Sequence, residues 1–219
     1  MNSAAATLPA RNLLFIGDSI TDAGRFDDPE GLGHGYVRLI SDHVAAHEPR
    51  ATVLNRGISG HRAKDLVARF DADALDLHPD AVTIYVGVND TWRRYDQDDP
   101  TSDDAFEADY RWMLEQLAAR SPQAPVILIV PFVADVDEFK ARFHEDLDGK
   151  VERIRKLAAE FGHRVLDSEV LLERAYRAGH APADVAEDGV HPSPAGHRLL
   201  ADAWLDVFAD VDPLRAYRA

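Results

Sequence analysis

The feature that most constrains the fold of this chain is an alternation. Short, continuous apolar runs recur between longer amphipathic stretches, with no internal repeat and no low-complexity linker. Residues 12–17 (NLLFIG), 51–55 (ATVLN), 81–87 (AVTIYVG), 125–131 (PVILIVP) and 164–167 (RVLD) have the length and apolar character of buried strands. The run at 81–87 is the clearest, because β-branched residues dominate it. Between the runs, 36–47 sets Val37, Ile40 and Val44 at helical spacing, and 63–75 sets Leu66, Val67 and Phe70 on one face. The stretch 103–120 turns Phe106, Tyr110, Met113, Leu114 and Leu117 inward. A long helical pattern covers 137–161, and another follows the fifth run through Tyr176. The final helix begins after Ser193, which fits an N-cap, with Pro194 at the first helical position. Its inner face carries Leu199, Leu200, Ala203, Trp204, Val207 and Phe208.

Strand and helix in strict alternation predict a parallel sheet covered on both faces. The expected architecture is α/β: a single doubly wound, three-layer α/β/α domain over 1–219 with a central five-stranded parallel sheet. Residues 1–10 read as a poorly ordered N-terminal tail. In such sheets ligands sit beyond the carboxyl ends of the strands, at the switch point. The functional question therefore narrows to the loops that follow the strands.

Composition removes several chemistries. The 219 residues hold no cysteine, which excludes disulfides, thiolate catalysis and Cys-based zinc sites. Lys plus Arg number 24 against 39 Asp plus Glu, a net charge of −15. Such a charge repels phosphate backbones and anionic lipid, so the chain is expected to bind neither nucleic acid nor membrane. A neutral small molecule meets no such penalty. The N-terminal MNSAAATLPARN has neither a basic region nor an apolar one, and no apolar run approaches the ~20 residues of a membrane span, so a cytoplasmic location is expected.

Four loops stand out. GDSIT (17–21) follows the first strand, NRGISG (55–60) the second, GVND (87–90) the third, and DGVHPSPAGH (188–197) precedes the last helix. Each has a plain structural reading: Ser19 as a helix cap, Gly57 and Gly60 as turn glycines, Asn89 and Asp90 as caps, Asp188 as a turn residue, His191 as a surface histidine. Together they supply what acyl transfer by serine needs: a hydroxyl, a base, an orienter for the base, and donors for the oxyanion. Ser19 offers the hydroxyl and His191 the base. Asp188, three residues before His191, can fix its tautomer. The backbone N–H groups of Ser19 and Gly57 and the amide of Asn89 can form the oxyanion hole.

This four-part pattern, GDS at 17–19, Gly57, GxND at 87–90 and DxxH at 188–191, resembles the SGNH hydrolases, also called the GDSL esterase/lipase superfamily. The resemblance spans residues 15–201 and implies the flavodoxin-like SGNH hydrolase fold. By position it implies Ser19 as nucleophile, Gly57 and Asn89 as oxyanion donors, His191 as base and Asp188 as its partner. The G-x-S-x-G elbow of the α/β-hydrolases is absent. The longer stretches LLFIGDSITDAGR, GHGYV, NRGISGHRAKDLVARF, GVNDTWRRYD and DGVHPSPAGHRLLADAWL resemble the intracellular acetyl-xylooligosaccharide esterases of this superfamily. That resemblance implies deacetylation of xylan-derived oligosaccharides with no metal or organic cofactor.

The segment TWRRYD follows Asn89 directly. Trp92 and Tyr95 suit stacking on a sugar face and Arg93 suits its hydroxyls, while Trp92 reads equally well as local core. His34 and Tyr36, in GHGY, are the remaining expected lining residues. The stretch 132–145 offers little to match and is expected to shape the pocket rim. Two alternatives stay open: a thioesterase or lysophospholipase of the same superfamily acting on longer acyl chains, and a non-catalytic carbohydrate-binding protein. A cation held by Asp188, His191 and His197 fits no familiar ligand spacing, and His197 is expected to face away within the last helix. The aromatic and arginine groups of WRRYD and of PLRAYR (213–218) suit the interface of a homo-oligomer.

Overall fold

The computed structural model describes residues 10–211. The expected tail, apart from Ala10, and the PLRAYR segment lie outside the described residues. Five parallel strands, β1 (Arg11–Gly17), β2 (Ala51–Gly57), β3 (Ala81–Tyr85), β4 (Val126–Ile129) and β5 (Arg164–Leu166), form one sheet in the order β2-β1-β3-β4-β5. This is the flavodoxin-type order, with its switch point between β1 and β3. The register pairs Gly17 with Gly57 on one side and with Tyr85 on the other. Three strands therefore end level with one another, and their following loops share one crevice.

Ten α-helical segments accompany the strands among the described residues: α1 (Ser19–Asp22), α2 (Tyr36–His47), α3 (Ala63–Asp73), α4 (Val88–Asp96), α5 (Asp103–Arg120), α6 (Glu138–Ala141), α7 (His144–Phe161), α8 (Ser168–Arg177), α9 (Pro182–Val185) and α10 (Pro194–Val211). The two-residue period of the strands sorts the core into two layers. Leu14 and Ile16 of β1 join Leu66 and Phe70 of α3, Phe106 and Met113 of α5, and Val151 and Ile154 of α7. Leu13 and Phe15 face the other way, onto Val37 and Ile40 of α2 and Leu200, Trp204 and Phe208 of α10. Trp204 is fully packed, and its indole N–H donates to Thr83 Oγ1 of β3 at 2.8 Å. Among the described residues, no helix is long and apolar enough to cross a membrane.

Several boundaries differ from expectation. TWRRYD, given no element from the sequence, forms most of α4, a helix whose buried residues are polar as well as apolar: Val88, Asn89, Asp90 and Thr91. The helical pattern at 137–161 is broken in two. The Asp137 side chain caps α6 by accepting from Lys140 N at 2.7 Å, the chain then turns through Arg142, and Phe143 enters the core before α7 begins. The fourth strand pairs only over Val126–Ile129, inside the flanking Pro125 and Pro131, which have no N–H to donate. The N-cap of α10 is as expected, Ser193 Oγ accepting from Gly196 N at 3.2 Å.

Candidate active site

The site begins where β1 turns sharply into α1. A Cβ on Gly17 would stand 2.3 Å from Tyr85 O and 2.4 Å from Thr21 Oγ1, so only glycine lets the strand turn there. Asp18 then caps α1, its Oδ1 accepting from Ile20 N at 3.0 Å. Ser19 follows as the first helical residue.

The Ser19 Oγ lies 2.9 Å from His191 Nε2. On the other side of the ring, His191 Nδ1 lies 2.7 Å from Asp188 Oδ2. Asp188 Oδ1 accepts from the backbone N–H of Val190 at 2.9 Å and of His191 at 2.7 Å. A carboxylate only accepts, so His191 carries its proton on Nδ1 and presents the Nε2 lone pair to the serine. Burial acts to raise the Asp188 carboxyl, but hydrogen bonds from the His191 ring and from the two backbone N–H groups outweigh it and hold it below the usual carboxylate range. The loop is fastened at Gly189: φ is +82°, its carbonyl accepts from Ala134 N at 2.7 Å, and a Cβ would stand 2.8 Å from Ala134 O.

Asn89 is buried in the first turn of α4. Its Nδ2 donates to His61 O at 3.1 Å and its Oδ1 accepts from Arg93 Nη2 at 3.4 Å, which together fix the amide plane. One amide hydrogen remains. Gly57 does not match its expected role. Its N–H donates to Asn55 Oδ1 at 2.8 Å, and its Cα packs on α1, where a Cβ would stand 2.1 Å from Asp22 N. Glycine stands at 57 for this close approach. Gly60, with φ +83°, lies one turn further along. Its nearest neighbour, as a Cβ would meet it, is Arg93 Nη2 at 3.9 Å, and the next residue supplies the carbonyl that holds Asn89. The preceding residue is tied to α1, Ser59 Oγ donating to Asp22 Oδ2 at 2.6 Å. Gly60 is thus the glycine with an uncommitted N–H beside Asn89.

The expected lining residues separate. Trp92 is brought in, its ring 6.0 Å from the His191 ring. Arg93 is engaged with Asp96 and Asn89, so it orients the amide. Tyr95 is one turn further out; its ring stacks on Phe143 at 4.8 Å and its hydroxyl donates to Arg142 O at 2.7 Å. Tyr36 is not at the surface at all. It is 0% exposed, packed on Phe15 and Tyr85, with its hydroxyl 3.0 Å from Thr21 Oγ1, so it supports the floor under Ser19 and cannot touch a ligand. His197 turns inward, not away: its Nδ1 accepts from Tyr36 N at 3.1 Å and caps α2, and burial, with His191 nearby, holds its pKa down at about 4. That nitrogen is therefore committed to the backbone. Sequence reasoning missed Lys140, a nearly buried lysine beside Trp92, because a lysine in a charged helical stretch reads as solvent-facing.

A family model described as the GDSL-like lipase/acylhydrolase family matches residues 15–199. The chain belongs to this family. It is accordingly a carboxylic ester hydrolase. An acetylxylan esterase of Geobacillus stearothermophilus is 35% identical over 203 residues, covering 88% of this chain and 91% of that protein. A solved structure of a histidine-to-alanine catalytic mutant of Axe2, an acetylxylan esterase from the same organism, superposes with a TM-score of 0.81 at 32% identity, covering 92% of this chain and 95% of the other. Serine-to-alanine and aspartate-to-alanine catalytic mutants of that enzyme are among the similar structures as well. The structure of LAE5, an α/β hydrolase from the metagenome of Lake Arreo, Spain, superposes with a TM-score of 0.78 at 32% identity, covering 94% of this GDSL hydrolase and 99% of that chain.

Proposed function

We propose that this GDSL hydrolase is a serine esterase that removes acetyl groups from carbohydrates, with xylan-derived oligosaccharides as the substrate class. The observation that carries the chemistry is the continuous relay from Ser19 Oγ through His191 to Asp188 at the mouth of the switch-point crevice. The substrate class is supported by the acetylxylan esterase relative.

In this reading His191 Nε2 takes the Ser19 proton as Oγ attacks the acetyl carbonyl. The oxyanion is met by the N–H of Ser19, the N–H of Gly60 and the remaining hydrogen of Asn89. Gly60 replaces Gly57 here because Asn55 occupies the Gly57 N–H. One such donor is worth about 2.7 to 4 kcal/mol of transition-state stabilisation. Asp188 stays ionised and stabilises the imidazolium. His191 then protonates the departing sugar oxygen, and water, deprotonated by His191, releases acetate from Ser19. No step requires a metal or organic cofactor.

The test compares p-nitrophenyl acetate, butyrate and octanoate, together with acetate release from peracetylated xylobiose, for the wild type and Ser19→Ala. The expected outcome is a preference for acetate, release from the sugar, and a loss in kcat of about 10⁴-fold or more in S19A. Octanoate preference without sugar deacetylation would overturn the substrate class in favour of a long-chain acyl hydrolase, and an active S19A would overturn the mechanism.

A further inference from the structure

The segment between β4 and α7 holds a polar group that the mechanism above does not use. Lys140 of α6 is only 7% exposed. Its Nζ stands 3.5 Å from the centre of the Trp92 ring and 4.7 Å from that of Phe143. Its stem packs against the loop that carries Asp188 and His191, since a Cβ on Gly189 would stand 3.0 Å from Lys140 Cγ. Trp92, on which the ammonium rests, is itself 6.0 Å from the His191 ring. Lys140 therefore lies between the catalytic loop and the aromatic wall.

What sets it apart is the lack of an acceptor. Lys150, fully buried in α7, hydrogen-bonds Asp146 at 2.5 Å and has Asp103 at 3.9 Å. Lys140 feels Asp188, Asp137 and Asp96 at a distance, yet no carboxylate or carbonyl of the described residues accepts a hydrogen bond from its Nζ. Burial lowers its pKa accordingly. An ammonium has three donors, and an aromatic face satisfies only one direction. A largely desolvated ammonium without a hydrogen-bonding protein partner calls for an oxygen from solvent or from a ligand.

The chemistry of the ligand follows. An acetyl group has one acceptor, its carbonyl, and that belongs in the oxyanion hole. A sugar carries several hydroxyls and a ring oxygen, together with an apolar C–H face. The neighbourhood of Lys140 matches both halves. Phe139, the preceding residue, is 45% exposed, and its ring lies 5.5 Å from Phe143 and 6.0 Å from Tyr95, so apolar ring surface adjoins the ammonium.

We propose that Lys140, seated on Trp92, is a specificity-determining residue that donates hydrogen bonds to the hydroxyl or ring oxygens of the sugar bearing the scissile acetyl group. This rests on the carbohydrate-esterase reading above.

The test is Lys140→Met, which keeps the apolar stem and removes the donors, assayed on phenyl acetate and on acetylated xylobiose. The expected result is a KM for acetylated xylobiose raised about tenfold, the loss of one charge-assisted hydrogen bond, while kcat/KM on phenyl acetate falls by about threefold or less. Lys140→Arg, which keeps donors and ring contact, recovers most of the sugar affinity. Equal losses on both esters, or no change on either, overturn the proposal, because a lysine that merely props up Trp92 does not distinguish them. Should K140M fail to fold, Lys140→Leu, which also lacks donors, carries the same comparison. A wild type that cleaves phenyl acetate and ignores acetylated xylobiose overturns the substrate class and this inference with it. A wild type that cleaves both while K140M shows no split overturns only the role of Lys140.

Discussion

Asp18 and Asp188 adjoin Ser19 and His191, the nucleophile and base of the proposed mechanism, and their carboxyls are displaced in opposite directions. Asp18 precedes Ser19, is 1% exposed, and has its carboxyl pushed up to about 7 by burial, with the backbone N–H of Ile20 acting against that and the nearby Asp90 adding to it. Asp90, inside α4, is likewise raised to about 7 by burial, against hydrogen bonds from Ala63 N and Thr101, and its Oδ1 has no partner. Asp188 is 46% exposed at its side chain and gathers two backbone N–H groups and the His191 ring, which keep it ionised. The same side chain is pushed toward its neutral form beside Ser19 and held toward its charged form behind His191. The difference teaches where charge is useful. A carboxylate beneath Ser19 would oppose the oxyanion that forms there, whereas a carboxylate behind His191 favours the imidazolium.

Three experiments bear on this contrast. The largest effect is expected from Asp188→Asn, which removes the charge and lets the ring adopt the wrong tautomer; steady-state kinetics should show kcat lower by roughly 10³ to 10⁴. A loss under tenfold would mean that solvent at this half-exposed loop replaces the carboxylate, and the contrast would weaken. Next, Asn89→Ala removes a proposed oxyanion donor and should lower kcat by about 10² to 10³ with KM little altered. A change confined to KM would place Asn89 in ground-state binding instead.

The smallest effect concerns stability. Asp18 and Asp90 have folded values of about 7, above the unfolded carboxyl value of about 4. The native state therefore retains protons that the unfolded chain has lost across this window. Their contribution is complete below about pH 4, declines as pH rises, and is gone once pH has passed through about 7. Asp18→Asn keeps an oxygen acceptor for Ile20 N and removes one titration. Its Tm should fall less steeply between pH 4 and 8 than that of the wild type, by several degrees over the interval. Parallel Tm curves for the two proteins would show that Asp18 is ionised in the native state and would erase the contrast.

Much of this was legible beforehand because strand runs and motifs are local. The five strands follow from continuous apolar runs, and Ser19, Asn89, Asp188 and His191 all stand in short motifs beside predicted element ends. Helix α4 was hidden because its buried face includes Asn89, Asp90 and Thr91, so no apolar period marks it. Gly57 and Gly60 occupy one motif, and what separates them is which N–H the Asn55 side chain captures, a three-dimensional fact. Tyr36 sits in GHGY, where nothing in the spacing reveals that its hydroxyl pairs with that of Thr21. Lys140 meets Trp92 across 48 positions of sequence, and no local pattern encodes that contact.

The hydrogen bond between Ser19 and His191 joins residues 172 positions apart. At roughly 5 to 20 residues per second of synthesis, the hydroxyl leaves the ribosome on the order of ten to thirty seconds before its base is even translated. A comparable interval, 161 positions, separates Tyr36 of α2 from His197, which accepts its backbone N–H. On the proposed mechanism, a chain terminated before residue 188 therefore carries Ser19 without the two groups proposed to activate it. In the proposed mechanism, hydrolytic competence therefore waits until synthesis has passed His191.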